Sequence, residues 1–138
     1  MYLIDTNVIS ESRKRAKANK GVHDFFRRVI KEDAGVYISV VTIGELRRGV
    51  ELIRHRGDQR QASRLEKWLD ELLVDYKDHI LNINQDVAQL WGSLRVPHPE
   101  NALDKQIAAT ALIYDLTVVT RNHKDFSKTG ARYLNPFV

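Results

Sequence analysis

The chain has 138 residues, with 22 Lys and Arg against 18 Asp and Glu, which gives a formal net charge of +4. The absence of cysteine excludes disulfides, thiolate metal sites and a cysteine nucleophile. Hydrophobic residues make up 43% of the chain and charged residues 29%, a balance typical of a folded globular domain. No apolar run approaches the ~20 residues that a membrane-spanning helix needs, and no signal-peptide pattern is visible. We therefore expect one cytoplasmic domain over residues 1–138 that does not contact a membrane.

Five short apolar runs have the character of buried strands. They lie at Tyr2–Ile4, Val36–Val40, Ile80–Leu81, Thr117–Thr120 and Tyr133–Leu134. Because their apolar residues are continuous rather than alternating, each predicted strand is expected to be covered on both faces.

Longer amphipathic segments separate these runs. Apolar residues recur at helical spacing within Val22–Val29, Ile43–Ile53, Leu65–Leu73, Val87–Leu94 and Leu103–Tyr114. Strands that alternate with helices predict an α/β fold, a three-layer sandwich in outline. A central parallel sheet of about five short strands would then have helices on both faces.

The last predicted helix has a recognisable start. Asn101 stands where an N-cap is expected, and Asp104 follows three residues later, close to a capping-box pattern.

Acidic and amide side chains follow the predicted strands at places that this topology brings together. Asp5 follows the first strand directly, Glu45 lies early in the helix after the second, and Asp104 begins the fifth helix. Asn122 and Asp125 follow the fourth strand. Ligands of parallel sheets bind at the carboxyl ends of the strands, so these side chains are predicted to share one cleft. An oxygen-only ligand set favours Mg²⁺ or Mn²⁺, and such a cation suits phosphodiester hydrolysis.

Each acid also has an ordinary structural explanation. Asp104 could serve only its helix N-terminus, and Glu45 could pair with Arg47 or Arg48 on its own helix. Asp125 could be a turn residue before the aromatic that follows it.

A phosphatase of the haloacid-dehalogenase type and a phosphoacceptor receiver also place an aspartate after a strand. The phosphatase needs a second aspartate two residues after the first, where this chain has an asparagine.

Basic residues are concentrated in two stretches. Residues 13–31 hold eight basic residues and one acid, and residues 47–67 hold seven basic residues and three acids. Such stretches either attract a polyanion or form solvated helix faces. The candidates for binding a polyanion near the predicted cleft are Arg13, Lys14, Arg15, Arg47, Arg48, Arg121 and His123. Trp68 and Trp91 lie on apolar stripes and are predicted to belong to the core.

Four segments together resemble the signature blocks of PIN-domain proteins. They are Leu3–Glu11, Ser39–Leu46, Ala102–Ala111 and Val118–Phe126. Their order and spacing are similar to those of the ribonuclease toxins of the VapC type, in the FitB-like branch. The resemblance spans nearly the whole chain.

The resemblance implies a Mg²⁺- or Mn²⁺-dependent endoribonuclease that is the toxin of a type II toxin–antitoxin pair. Asp5, Glu45 and Asp104 match the three central acids of the family and would be both catalytic and metal-binding. The family commonly has a fourth acid where this chain has Asn122, so either Asn122 or Asp125 would complete the site.

The resemblance also implies supporting residues and partners. Thr6, Asn7 and Thr120 would orient the acids or bound water. The family forms homodimers and pairs with an antitoxin whose C-terminal segment occupies the groove over the acids. DNA would be bound only through the antitoxin. The alternative function is a non-catalytic or latent-nuclease subunit of a DNA-binding regulatory complex.

Overall fold

A five-stranded sheet forms the centre of the protein. The computed structural model describes residues 1–138 throughout, and its strands are β1 (Tyr2–Ile4), β2 (Val36–Ser39), β3 (Ile80–Leu81), β4 (Thr117–Val119) and β5 (Tyr133–Leu134). Their order is β3-β2-β1-β4-β5, and every pair is parallel. The predicted parallel α/β sheet is therefore confirmed, with β1 in its middle.

Seven α-helices connect and cover the strands. They are α1 (Thr6–Ser12), α2 (Lys20–Lys31), α3 (Val40–His55), α4 (Gln59–Asp75), α5 (Gln85–Leu94), α6 (Ala102–Tyr114) and α7 (His123–Phe126). A short 3-10 helix at Arg15–Lys17 follows α1. The five predicted helices correspond to α2–α6, whereas α1 and α7 are too short to show a hydrophobic repeat. None of the helices has the length and apolar character that crossing a membrane requires.

Two hydrophobic cores lie on opposite faces of the sheet. Adjacent residues of β1 divide between them: Ile4 joins a core that includes Phe25 and Leu46, and Leu3 joins one that includes Ile107 and Phe126. This division follows from the alternation of side chains along a strand. The predicted three layers are thus present, and the sheet edge at the strand carboxyl ends is left to polar side chains.

The N-terminus of α6 differs from the prediction. Asn101 occupies the N-cap position but has left-handed backbone angles (φ 57°, ψ 44°), and its side chain makes no capping hydrogen bond. A capping side chain needs a backbone in the extended region to reach the helix amides. Asn tolerates the left-handed region, and here its Nδ2 lies 3.5 Å from Asp125 Oδ1 instead.

Candidate active site

Asp5 connects the end of β1 to the start of α1. Its Oδ1 accepts a hydrogen bond of 2.8 Å from the Thr6 amide, which caps α1. Its Oδ2 accepts from Thr120 Oγ1 at 2.7 Å and from Asn7 Nδ2 at 3.2 Å. The side chain is only 3% exposed. Burial raises the pKa of the Asp5 carboxyl, and the three hydrogen bonds only partly oppose that rise.

Glu45 lies near Asp5 on α3, the helix that follows β2, and β2 is the strand next to β1. Ser39, the last residue of β2, caps α3 through its side chain, so α3 starts directly at the sheet edge and carries Glu45 in its second turn. Thr6 Oγ1 donates a hydrogen bond of 3.2 Å to Glu45 Oε1. Partial burial and the charge of Asp5 raise the pKa of Glu45. Thr6 therefore contacts both acids, through its amide and through its hydroxyl.

Asp104 lies in the first turn of α6, facing the other acids. Burial, as the largest cause, and the charges of Asp5, Asp125 and Glu45 together raise the pKa of Asp104 to about 7. A hydrogen bond between the side chains of Asp104 and Asp125 contributes in the same direction. A residue that merely capped its helix would not have this electrostatic environment, so the structure favours the clustered interpretation of Asp104.

The four carboxyl groups of Asp5, Glu45, Asp104 and Asp125 have no cationic partner. None of them forms an ion pair with a lysine, arginine or histidine. Oxygen donors that repel one another and form no ion pair fit the chemistry of a hard divalent cation. No three of them are yet close enough together to enclose a metal ion, so a cation would have to draw the carboxylates inward.

The loop after β4 places Asn122 and Asp125 differently. The Asn122 side chain is exposed and makes no hydrogen bond, while its amide donates to Thr120 Oγ1 at 2.9 Å. Asn7 Oδ1 accepts from the Arg121 amide at 3.0 Å, which ties this loop to α1. Asp125, carried by α7, is the loop residue that contacts Asp104.

The basic candidates from the sequence differ in whether acidic side chains of the protein already pair with them. Lys14 pairs with Glu11 at 3.0 Å. Arg47 lies 3.2 Å from Glu66 and 3.5 Å from Glu51, so its guanidinium is held between two helices. Arg48 is exposed, and its charge partly offsets the rise in the pKa of Glu45, which places it near the acids.

The remaining predicted basic residues lie either against aromatic rings or beside α4. The Arg121 guanidinium stacks over the Phe137 ring at 4.6 Å, and the His123 ring stacks on Tyr133 with centroids 6.4 Å apart. Arg13 and Arg15 line an open cavity beside α4.

Three basic residues on α4 line the same cavity but were not among the sequence candidates. They are Arg60, Arg64 and Lys67. Their spacing of four and then three residues, which puts them on one helix face, is the signal that could have singled them out.

Comparison with known families agrees with the fold and with the signature blocks. The PIN domain profile matches residues 2–132, and the chain belongs to the PIN-domain family.

Relatives within that family align along almost the whole chain. The chain is 35% identical over 144 residues to Toxin FitB from Neisseria gonorrhoeae, with 99% of each protein covered. It is 32% identical over 142 residues to Plasmid stability protein StbB from Pseudomonas syringae pv. tomato, again with 99% of each covered. VapC ribonuclease Y4jK from Sinorhizobium fredii is 29% identical over 144 residues, with 99% of this chain and 98% of that protein covered.

Solved structures give the same result. The chain superposes on FitAcB from Neisseria gonorrhoeae with a TM-score of 0.84 and 34% identity, over 99% of this chain and 98% of that one. The match to FitAB bound to an IR36 DNA fragment has a TM-score of 0.83 and 31% identity, over 99% and 95%. Both matches are complexes of a toxin-like chain with a partner.

Proposed function

We propose that this protein is the toxin of a toxin–antitoxin pair and a Mg²⁺- or Mn²⁺-dependent endoribonuclease. The observation that carries the proposal is the group of four carboxyls without a basic partner at the carboxyl edge of a PIN-domain sheet. Relatives named as a toxin and as a VapC ribonuclease support the activity class.

The residues have separable roles in this proposal. Asp5, Glu45 and Asp104 hold the cation, which when bound polarises the phosphoryl group and lowers the pKa of the attacking water. Asp5 is held in one orientation by Thr120 and the α1 N-terminus. Asp104 has to lose its proton before it can ligate, because a metal ligand must be ionised.

Asp125 is proposed as the group that positions Asp104. Asp125 contributes to the raised pKa of Asp104 both by its charge and by a side-chain hydrogen bond, so the two carboxyls are neighbours and Asp125 can orient Asp104. Asn122 contributes its backbone amide to the loop and leaves its side chain in solvent.

The test is cleavage of single-stranded RNA by the purified protein with Mg²⁺ or Mn²⁺. Asp5→Asn and Asp104→Asn are each expected to abolish cleavage while the far-ultraviolet circular dichroism spectrum stays unchanged. The control is Asp78→Asn, at an exposed aspartate without an ion pair. Cleavage by Asp5→Asn at the wild-type rate would show that the site is wrongly assigned.

A second candidate function is supported by the relative that was solved with DNA. The FitAB complex binds an IR36 DNA fragment, so this chain could act mainly as a subunit of a DNA-bound regulatory complex with a latent nuclease. An antitoxin encoded beside it would then supply the DNA contacts. A growth assay with and without that neighbouring gene separates the two functions, because only an active toxin arrests growth when it is expressed alone.

A further inference from the structure

A basic groove lies beside the acid cluster, between the end of α1 and the first half of α4. Its volume is about 650 Å³. Five cationic side chains line it, and only two acids oppose them. The cations are Arg13, Arg15, Arg60, Arg64 and Lys67, and the acids are Asp58 and Glu71. We call this cavity the arginine groove.

The five cationic side chains of the groove have no acidic partner within the protein. None of them forms an ion pair or a side-chain hydrogen bond. Arg47 and Arg54, which lie outside the groove, are both bound to Glu66. The difference shows that the groove concentrates positive charge that no internal acid neutralises, which is the electrostatic requirement of a polyanion site.

The cations on α4 form a straight row. Arg60, Arg64 and Lys67 are four and three residues apart, so they lie on one face of the helix. The row extends over about 10 Å along the helix axis, at 1.5 Å per residue. A row of this kind matches several consecutive charges better than a single anion.

Trp68 gives the groove an aromatic wall. The residue is partly buried against the core, and its ring lines the groove. Its Nε1 donates no hydrogen bond, and no buried polar atom of the protein lacks a partner, so the indole nitrogen faces solvent. Trp91 is different, because its Nε1 donates to the Ala102 carbonyl at 3.0 Å. Only Trp68 therefore combines an accessible edge with surrounding cations.

The groove opens toward the acids. A second, smaller cavity shares Arg13, Leu65 and Trp68 with it. The same smaller cavity is lined by Thr6 and Glu45. The two cavities are therefore neighbours, with Arg13, Leu65 and Trp68 between the row on α4 and the side that Glu45 lines.

We infer that the arginine groove binds the single-stranded RNA segment adjacent to the bond that is cleaved. The row on α4 contacts consecutive phosphates, and Trp68 stacks on one base. An A-form duplex does not expose base faces for stacking, which favours a single strand. An acidic peptide would satisfy the cations, but the carboxylates that pair with them offer no ring to stack on the indole, whereas every nucleotide carries both a phosphate and a base. This inference rests on the proposed function for the position of the cleaved bond.

The experiment measures binding without cleavage. A fluorescent single-stranded RNA of about twelve nucleotides is titrated with protein in EDTA, and anisotropy is followed at several salt concentrations. The test variant is R60Q/R64Q/K67Q. The control is K20Q/K31Q/K77Q, which removes the same charge from exposed lysines outside the groove.

The expected results are specific. Loss of three phosphate contacts lowers the slope of log K against log salt by about 2, because each contact to a single strand contributes roughly 0.7. The control variant keeps the wild-type slope. Trp68→Leu retains an apolar side chain against the core and is expected to weaken binding roughly ten-fold without changing the slope.

Two outcomes would overturn the groove assignment. One is a wild-type slope for R60Q/R64Q/K67Q. The other is unchanged RNA binding by that variant combined with lost binding of a synthetic Asp/Glu-rich peptide, which would make the groove a protein interface. Wild-type protein that binds RNA through the groove but never cleaves it with Mg²⁺ or Mn²⁺ would support the groove and contradict the proposed nuclease.

Discussion

The Thr120 hydroxyl donates a hydrogen bond of 2.7 Å to Asp5 Oδ2, joining two buried residues that are 115 positions apart in the sequence. The same hydroxyl oxygen accepts from the Asn122 amide at 2.9 Å. One side chain therefore fixes the acid at the end of β1 and the first turn of the loop after β4. The relative position of two site elements depends on that contact.

Replacing Thr120 by valine should destabilise the protein by about 1–3 kcal/mol, because the buried Asp5 carboxyl loses one of its three hydrogen bonds and the Asn122 amide loses its acceptor. Urea denaturation at neutral pH measures the change. Thr120→Ser keeps the hydroxyl and serves as the control. A Thr120→Val protein as stable as Thr120→Ser would show that the hydrogen bond contributes nothing.

The metal-free protein should lose stability as the pH rises. The pKa of Asp104 is about 7 in the folded state against 3.8 as its ordinary value, so the folded state binds this proton more tightly. The associated stability is complete below about pH 4 and is lost as the pH passes through about 7. Melting temperatures in EDTA should fall across this range.

Asp104→Asn removes the titrating group, so the decline in melting temperature should become shallower. Mg²⁺ added at about pH 8 should raise the melting temperature of the wild type and leave that of Asp104→Asn nearly unchanged. An identical pH profile for the two proteins would refute the assignment of the titration to Asp104.

Asp125 should matter more for cleavage than Asn122. Asp125 hydrogen-bonds to Asp104, whereas the Asn122 side chain is exposed and makes no hydrogen bond. Asp125→Asn is expected to reduce activity or metal affinity about 10- to 100-fold, the usual effect of removing a group that orients a ligand. Asn122→Ala should change either quantity little. Initial cleavage rates at several Mg²⁺ concentrations separate the two effects, and the reverse order would make Asn122 the fourth site residue.

Phe126 anchors the short helix that carries Asp125. Its side chain is fully buried in the core beside Ile107. Phe126→Ala should lower the free energy of unfolding by about 3–5 kcal/mol. Ile30→Ala is the control, since Ile30 is 79% exposed and its loss should cost less than about 0.5 kcal/mol. Equal stability of the two variants in urea would mean that α7 is not held by the core.

The sheet and the proximity of Asp5, Glu45 and Asp104 at its edge could be predicted from the sequence. The strands are continuous apolar runs, and Asp5 follows the first of them directly, so a parallel sheet alone brings it toward Glu45 and Asp104. Those inferences need only local pattern and the topology that the pattern dictates. The helix α1 could not be predicted because its seven residues are too few to show a hydrophobic repeat.

The features that could not be predicted depend on contacts between residues that are far apart in the sequence. Arg47 was a plausible RNA ligand, and its pairing with Glu66 on another helix is invisible in spacing rules that reach four residues. Asn101 matched a capping pattern, but its left-handed backbone prevents capping. The arginine groove requires α4 to pack beside the end of α1, which no local pattern specifies.

The ion pairs of α3 and α4 bear on the length of any product. Glu66 of α4 binds both Arg47 and Arg54 of α3, and α3 also carries Glu45. Glu45 on α3 and Trp68 on α4 are therefore carried by two helices that these ion pairs join. If a base stacks on Trp68, the number of nucleotides between that base and the cleaved bond is then the same for every RNA. The RNA fragments that the protein releases would then end at one fixed distance from the base that stacks on Trp68.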